Sequence, residues 1–201
     1  MFISSFDRNQ KDGVYELIAP GQTKSRYYFA KIIDTRTVKI ESGIEYKNDY
    51  LGVDIDIFPI DGSPTDFDEY DMRRKRINKL YKHYSVVACG YTGSLKHKCK
   101  VLLYRVLWGS KKSIINKATS LCKMNDYGSS KYAARYGQFS FGFRVDRQCY
   151  EKSILKLFEG KECPIPQGYD EVLSAQFGDY MTLPPEKERC TQHRNKMYWK
   201  D

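Results

Sequence analysis

The stretch "YLGVDIDIFPIDGSP", Tyr50 to Pro64, constrains the chain more than any other. Apolar residues alternate with acids, the period of a strand. Val53, Ile55 and Ile57 therefore share one face, and Asp54, Asp56 and Phe58 the other. Pro59 should end the pairing and leave Asp61 in a turn, capping it before Ser63-Pro64 rather than binding a metal. Asp54 and Asp56 would stand about 6.5 Å apart, where two like charges at an effective dielectric near 20 repel by roughly 2.5 kcal/mol. A divalent cation between them would turn that repulsion into a ligand set. Oxygen donors of this kind suit Mg²⁺ or Mn²⁺ beside substrate phosphates, the setting of phosphoryl or nucleotidyl transfer. The competing reading places the acids on a solvated face or sheet edge, where charge discourages edge-to-edge pairing. Spacing alone leaves both open.

The 201 residues suffice for one domain with a real core, and the chain reads as a single unit. With 17 Tyr and 10 Phe it is too aromatic for a disordered chain. Its net charge of +9 favours an anionic partner without choosing among nucleic acid, nucleotide, phosphorylated glycan and membrane surface. The six cysteines show neither a CxxC pair nor a zinc-type spacing with the histidines, and read as reduced thiols of a cytosolic protein. The start of the chain does not read as a secretory signal. The greasiest run, "VLLYRVLW", is interrupted by Arg105 and falls far short of the ~20 residues that a spanning helix needs.

The periodicity predicts strands within 26–62, a helical region over 63–128, and a closing hairpin and short helix within 129–201. One or two strands occupy "RYYFAKIIDTRTVKI", with Asp34 to Arg36 as a turn. Pro64 and the acids Asp66, Asp68 and Glu69 mark a helix start; two further helices divide at Gly109 and end near Gly128. A turn at Glu159-Gly160 joins two short strands, and Gly178 closes a short helix. No βαβ repeat is present, so the expected class is α+β.

"GVDIDIFPIDGSP" resembles the strand-and-turn signature of the LicD-type phosphocholine transferase family, relatives of fukutin in the nucleotidyltransferase superfamily. "YYFAKIIDTRTV" is similar to the family's Lys-bearing strand, and "FEGKECPIPQGYDEVLSAQFGDYMTLPPEKERCTQH" to its closing segment. The resemblance implies a nucleotidyltransferase-like mixed sheet. It also implies a metal-dependent enzyme moving phosphocholine, or a similar phospho-group, from a CDP-linked donor to a hydroxyl of a surface glycan such as lipopolysaccharide or teichoic acid. The family's first metal motif, a Trp and aspartates ending in an acid-x-acid pair, has no counterpart here. On that ground the chain is expected to be N-terminally incomplete and doubtful as a catalyst alone.

Asp56 matches the family acid and is the expected catalytic residue and metal ligand, with Asp54 a substitute ligand at a position usually hydrophobic. Lys31, an ammonium in an apolar strand, reads either as a phosphate contact or as an edge lysine snorkelling to water. Arg189 and His193 lie in the resembling terminal segment and read as phosphate contacts or as exposed tail. Asp179 and Tyr180 are expected to fix the preceding helix end against the core. The run Arg73-Arg74-Lys75-Arg76 reads as a solvated helix face, or as attraction to an anionic lipid surface. "KVLLYRVLWGSKK" is expected to pack as a core helix, the alternative being an apolar contact on that same surface. The implied location is the cytoplasm, with peripheral contact at the inner face of the membrane. A non-catalytic remnant binding a nucleotide, glycan or partner is the second reading. A nucleic-acid module is the third, disfavoured because no RNA or DNA motif accompanies the charge.

Overall fold

The computed structural model describes residues 13–22, 24–40, 52–88, 94–137, 142–189 and 195–200. The chain divides into two compact units. One comprises Met1–Phe58, Lys82–Ile115 and Pro185–Asp201, the other Pro59–Tyr81 and Asn116–Pro184. The class is α+β. Every strand pair among the described residues is antiparallel, in sheets of two or three strands rather than one mixed sheet.

In the first unit β1 (Tyr15–Ile18), β2 (Ala30–Asp34) and β4 (Asp54–Ile57) form a sheet in the order β1-β2-β4. After the turn at Thr35-Arg36, β3 (Thr37–Ile40) joins a different sheet, pairing with β10 (Lys196–Trp199). The turn is built locally: Asp34 Oδ1 accepts from the Arg36 backbone N–H at 3.0 Å. The chain then enters β4 through Gly52, where a Cβ would lie 2.0 Å from the Asp34 carbonyl oxygen. Only glycine allows that approach. It lets Val53 donate to Thr37 Oγ1 at 2.7 Å and accept from the Asp34 N–H at 2.8 Å.

The burial of β4 does not alternate: Asp54 and Ile57 are half-buried, whereas Ile55 and Asp56 are exposed. Ile55 is 69% exposed and Val53 also faces solvent. Periodicity says which residues share a face; the neighbouring strands decide which of them is covered. Lys31 of β2 lies directly opposite Asp56, and Ile33 opposite Asp54. The acids are thereby held under a buried lysine.

The helix α1 (Phe67–Ala88) begins where its acids predict, with Asp66 Oδ1 accepting from the Glu69 N–H at 2.7 Å. Its later residues Tyr84 and Val87 are buried in the first unit, together with Val101 of α2 (Leu95–Trp108) and Ile114 and Ile115 of α3 (Lys111–Cys122). Tyr84 Oη accepts from the Gly21 N–H at 3.1 Å, and Lys111 Nζ donates to the Ser25 carbonyl at 3.0 Å, fastening the segment between β1 and β2. The expectation that "KVLLYRVLW" packs in the core is not met. Of α2 only Val101 is buried, and Leu102, Leu103, Val106 and Leu107 are exposed. α3 stops at Cys122 rather than near Gly128, because Asp126 builds a turn, accepting from Ser129 N–H through Oδ2 and from Ser130 N–H through its carbonyl.

The second unit holds a sheet ordered β5-β6-β7, from β5 (Asp61–Ser63), β6 (Tyr132–Arg135) and β7 (Phe143–Asp146). Asp61 is therefore a strand residue opposite Ala134, not a turn cap. A Cβ on Gly62 would lie 2.6 Å from Ser130 Oγ and 2.7 Å from the Asn125 carbonyl, so β5 needs glycine to seat there. The hairpin of β8 (Ser153–Phe158) and β9 (Lys161–Pro166) turns at Glu159-Gly160 as expected. In α4 (Tyr169–Phe177), closed by Gly178, Val172 packs against Phe143, Val145 and Cys149. Tyr180 Oη donates to Asp170 Oδ1 at 2.5 Å, tying the end of α4 to its start. Asp179 is exposed rather than set against the core, and accepts from Thr182.

Nor is the basic run a uniformly solvated face. Arg73 is buried, donating to Glu69 Oε1 at 2.6 Å and to Asn125 Oδ1 at 2.5 Å. Among the described residues Cys99, Cys122, Cys149 and Cys163 are free thiols; Cys89 and Cys190 lie outside them.

Candidate functional site

Sheet pairing puts Lys31, Asp54 and Asp56 on one face of the first unit's sheet, one strand apart. Lys31 Nζ is ion-paired with Asp54 Oδ2 and lies 2.5 Å from Asp56 Oδ1. Lys39 Nζ, from β3, lies 2.5 Å from the other Asp54 oxygen. Both oxygens of Asp54 are thus held by lysines, and its side chain is only 3% exposed. The Asp56 side chain is 40% exposed, and Lys31 engages one of its oxygens. The Tyr27 ring faces the Lys31 ammonium at 4.3 Å and the Phe29 ring at 5.2 Å.

The electrostatics follow from that geometry. Burial pushes the Asp54 carboxyl up, but the hydrogen bonds and charges of Lys31 and Lys39 outweigh burial and hold it below the usual carboxylate range. Lys31 does not snorkel to water: it is buried as the counter-ion of two acids.

Two carboxylates facing two ammoniums leave no net charge to attract a divalent cation. The position between Asp54 and Asp56 that Mg²⁺ or Mn²⁺ would take holds the Lys31 ammonium instead. The pair as arranged does not fit a divalent cation, and no group of three or more acidic, His or Cys side chains among the described residues is placed to hold one. What the arrangement offers is one outward carboxylate, on Asp56, fixed by a buried lysine.

Asp61 belongs to the second unit, where burial pushes its carboxyl up and Lys123 offsets part of that effect. Arg189 is exposed after the 3₁₀ turn Glu186–Glu188, its backbone N–H donating to the Glu186 carbonyl at 3.1 Å. His193 lies outside the described residues. Lys31, Asp54 and Asp56 are therefore the site residues shown together. The sequence reading missed Lys39, although the argument applied to Lys31, an ammonium in a β-branched strand, holds equally for "RTVKI".

The chain is similar to a LicD transferase. It is 27% identical to the lipopolysaccharide cholinephosphotransferase LicD of Haemophilus influenzae (strain ATCC 51907 / DSM 11121 / KW20 / Rd) over 191 aligned positions, and the match covers 84% of this chain. The match covers 64% of that relative, so the chain spans under two thirds of its length. No family model and no solved structure matches the chain.

Proposed function

We propose that the chain serves the transfer of phosphocholine, or a similar phospho-group, from a CDP-linked donor to a hydroxyl of a cell-surface glycan such as lipopolysaccharide or teichoic acid. The likeness to the Haemophilus LicD supports the reaction class. The observation that carries the assignment of a residue is the Asp56 carboxylate, outward-facing and fixed by Lys31. In the proposed step the acceptor hydroxyl gives its proton to Asp56 as its oxygen attacks phosphorus. A new P–O bond forms, the phosphoanhydride bond to CMP breaks, and CMP leaves with the electron pair. Lys31 positions Asp56, while Asp54 and Lys39 fix Lys31. Arg189 and His193 are proposed to meet donor phosphates.

Calorimetric titration of CDP-choline into the full chain, with and without Mg²⁺, tests this against Asp56→Ala and is followed by an assay for CMP release with a glycan acceptor. Binding by the parent protein, reduced at least tenfold in Asp56→Ala, is expected. Absence of donor binding by the parent would sink the proposal. A second reading, a non-catalytic member of this likeness that binds nucleotide, glycan or a partner, is favoured by the neutral lysine–aspartate cluster. Donor binding without CMP release would select it.

A further inference from the structure

The helix α2 is amphipathic in an unusual sense. Its inner side carries His97, Val101, Tyr104 and Trp108, recurring at helical spacing, and Trp108 stacks on His83 of α1 with ring centroids 4.0 Å apart. At about 100° per residue, the opposite side is Leu95, Cys99, Leu102, Leu103 and Val106, again at i, i+4, i+7, i+8 and i+11. These residues are the exposed ones, Val106 at 75% and Leu95 at 77%. A leucine stripe toward water with a mostly aromatic packing face opposite is the reverse of what an ordinary surface helix shows.

The flanks of the stripe say what covers it. On the same helical wheel Lys98 and Arg105 border one side, and Lys96 and Lys100 the other. From Met72 to Asn125 the chain carries fourteen Lys and Arg and no Asp or Glu. A second copy packed α2 on α2 would bring basic flanks to basic flanks with no acid of that helix to pair them. Nucleic acid would answer the charge but not the stripe, because Leu and Val offer no ring on which bases stack. A lipid surface with anionic headgroups answers both: aliphatic side chains enter the acyl boundary while lysine and arginine stems reach outward to phosphates.

We propose that α2 is a membrane-docking helix, lying in the interface plane of an anionic bilayer with Leu102 and Val106 at the centre of the buried stripe. Its fourteen residues make a rod of about 21 Å, which is too short to span. The helix is also already formed, capped by Ser94 Oγ accepting from the His97 N–H at 3.3 Å and fastened through Trp108, so docking requires no coil-to-helix transition. The structure shifts this role away from the Arg73–Arg76 run, since Arg73 is turned inward.

Co-sedimentation of the full chain with phosphatidylcholine vesicles, with and without about a third phosphatidylglycerol, tests the proposal. Binding to the anionic vesicles alone, weakened by added salt, is expected. Leu102→Gln/Val106→Gln should weaken partitioning about tenfold or more, and Lys96→Gln/Lys100→Gln by roughly fivefold per charge. Both pairs are exposed, so circular dichroism should stay unchanged. The control Leu155→Gln/Leu157→Gln, on the exposed β8 of the other unit, should bind like the parent. Equal binding by Leu102→Gln/Val106→Gln and parent, equal loss in the control, or no preference for anionic vesicles overturns the proposal. So does a dimer dispersed by Leu102→Gln/Val106→Gln without vesicle binding, which assigns the stripe to a second copy.

Discussion

Asp54 and Asp61 stand seven residues apart in one motif, and the structure treats them in opposite ways. Asp54 is buried between two lysines that hold its carboxyl down; Asp61 is partly buried in another sheet, and its carboxyl is pushed up. An aspartate in a strand is thus no functional signal in itself. Its meaning comes from the strand beside it: β2 and β3 bring ammoniums to Asp54, whereas β6 brings Ala134 to Asp61.

The largest effect should come from removing the cation common to Asp54 and Asp56. Lys31→Met leaves Asp54 buried with one partner and should cost about 3–5 kcal/mol in urea unfolding. The triple variant Lys31→Met/Lys39→Met/Asp54→Leu, which removes all three charges of the buried cluster together, should recover more than half of that loss. A triple variant no more stable than the single one would show that the ion cluster is not what makes Lys31 important.

Much of the fold is legible in local chemistry and little of the site is. The start of α1 follows from Asp66 and Glu69, and the hairpin from Glu159-Gly160, because each is settled within a few residues. The three residues of β5 and the "YAAR" of β6 carry no strand pattern and exist through each other, about seventy positions apart. The burial of the Asp54 side chain likewise depends on Lys31 and Lys39, and the burial of Arg73 on Asn125 fifty-two positions away. Composition shows the charge; only pairing shows where it points.

The pH dependence sharpens the contrast with an effect of intermediate size. Asp54, lowered in the fold, contributes stability that is present above the unfolded value of about 3.9 and lost as pH falls through the folded one. Asp61 has the opposite sign: its raised value makes the fold lose stability as pH rises from about 3.9 through the folded value. Urea midpoints against pH should therefore fall on the acid side in the parent. Asp61→Asn should raise the neutral-pH midpoint, by about 1 kcal/mol or less, and remove the decline above pH 4. A decline that persists in Asp61→Asn would assign it to another group.

The smallest effect is expected at Asp56. Its half-exposed pairing with Lys31 should make Asp56→Asn cost under about 1 kcal/mol. A loss comparable with Lys31→Met would mean that Asp56 is structural after all, and would count against its proposed role toward substrate.

The pairing of β3 with β10 bears on how the molecule is made. Lys200 donates to the carbonyls of Arg36 and Thr35, the latter 165 positions earlier, so the two strands of that sheet are synthesised about 165 residues apart. At about 5–20 residues per second on the ribosome, roughly 8 to 33 seconds separate the two. The "TVKI" edge spends that interval open to wrong partners. Slower translation of the later segments would therefore lengthen the period in which nascent chains can find one another.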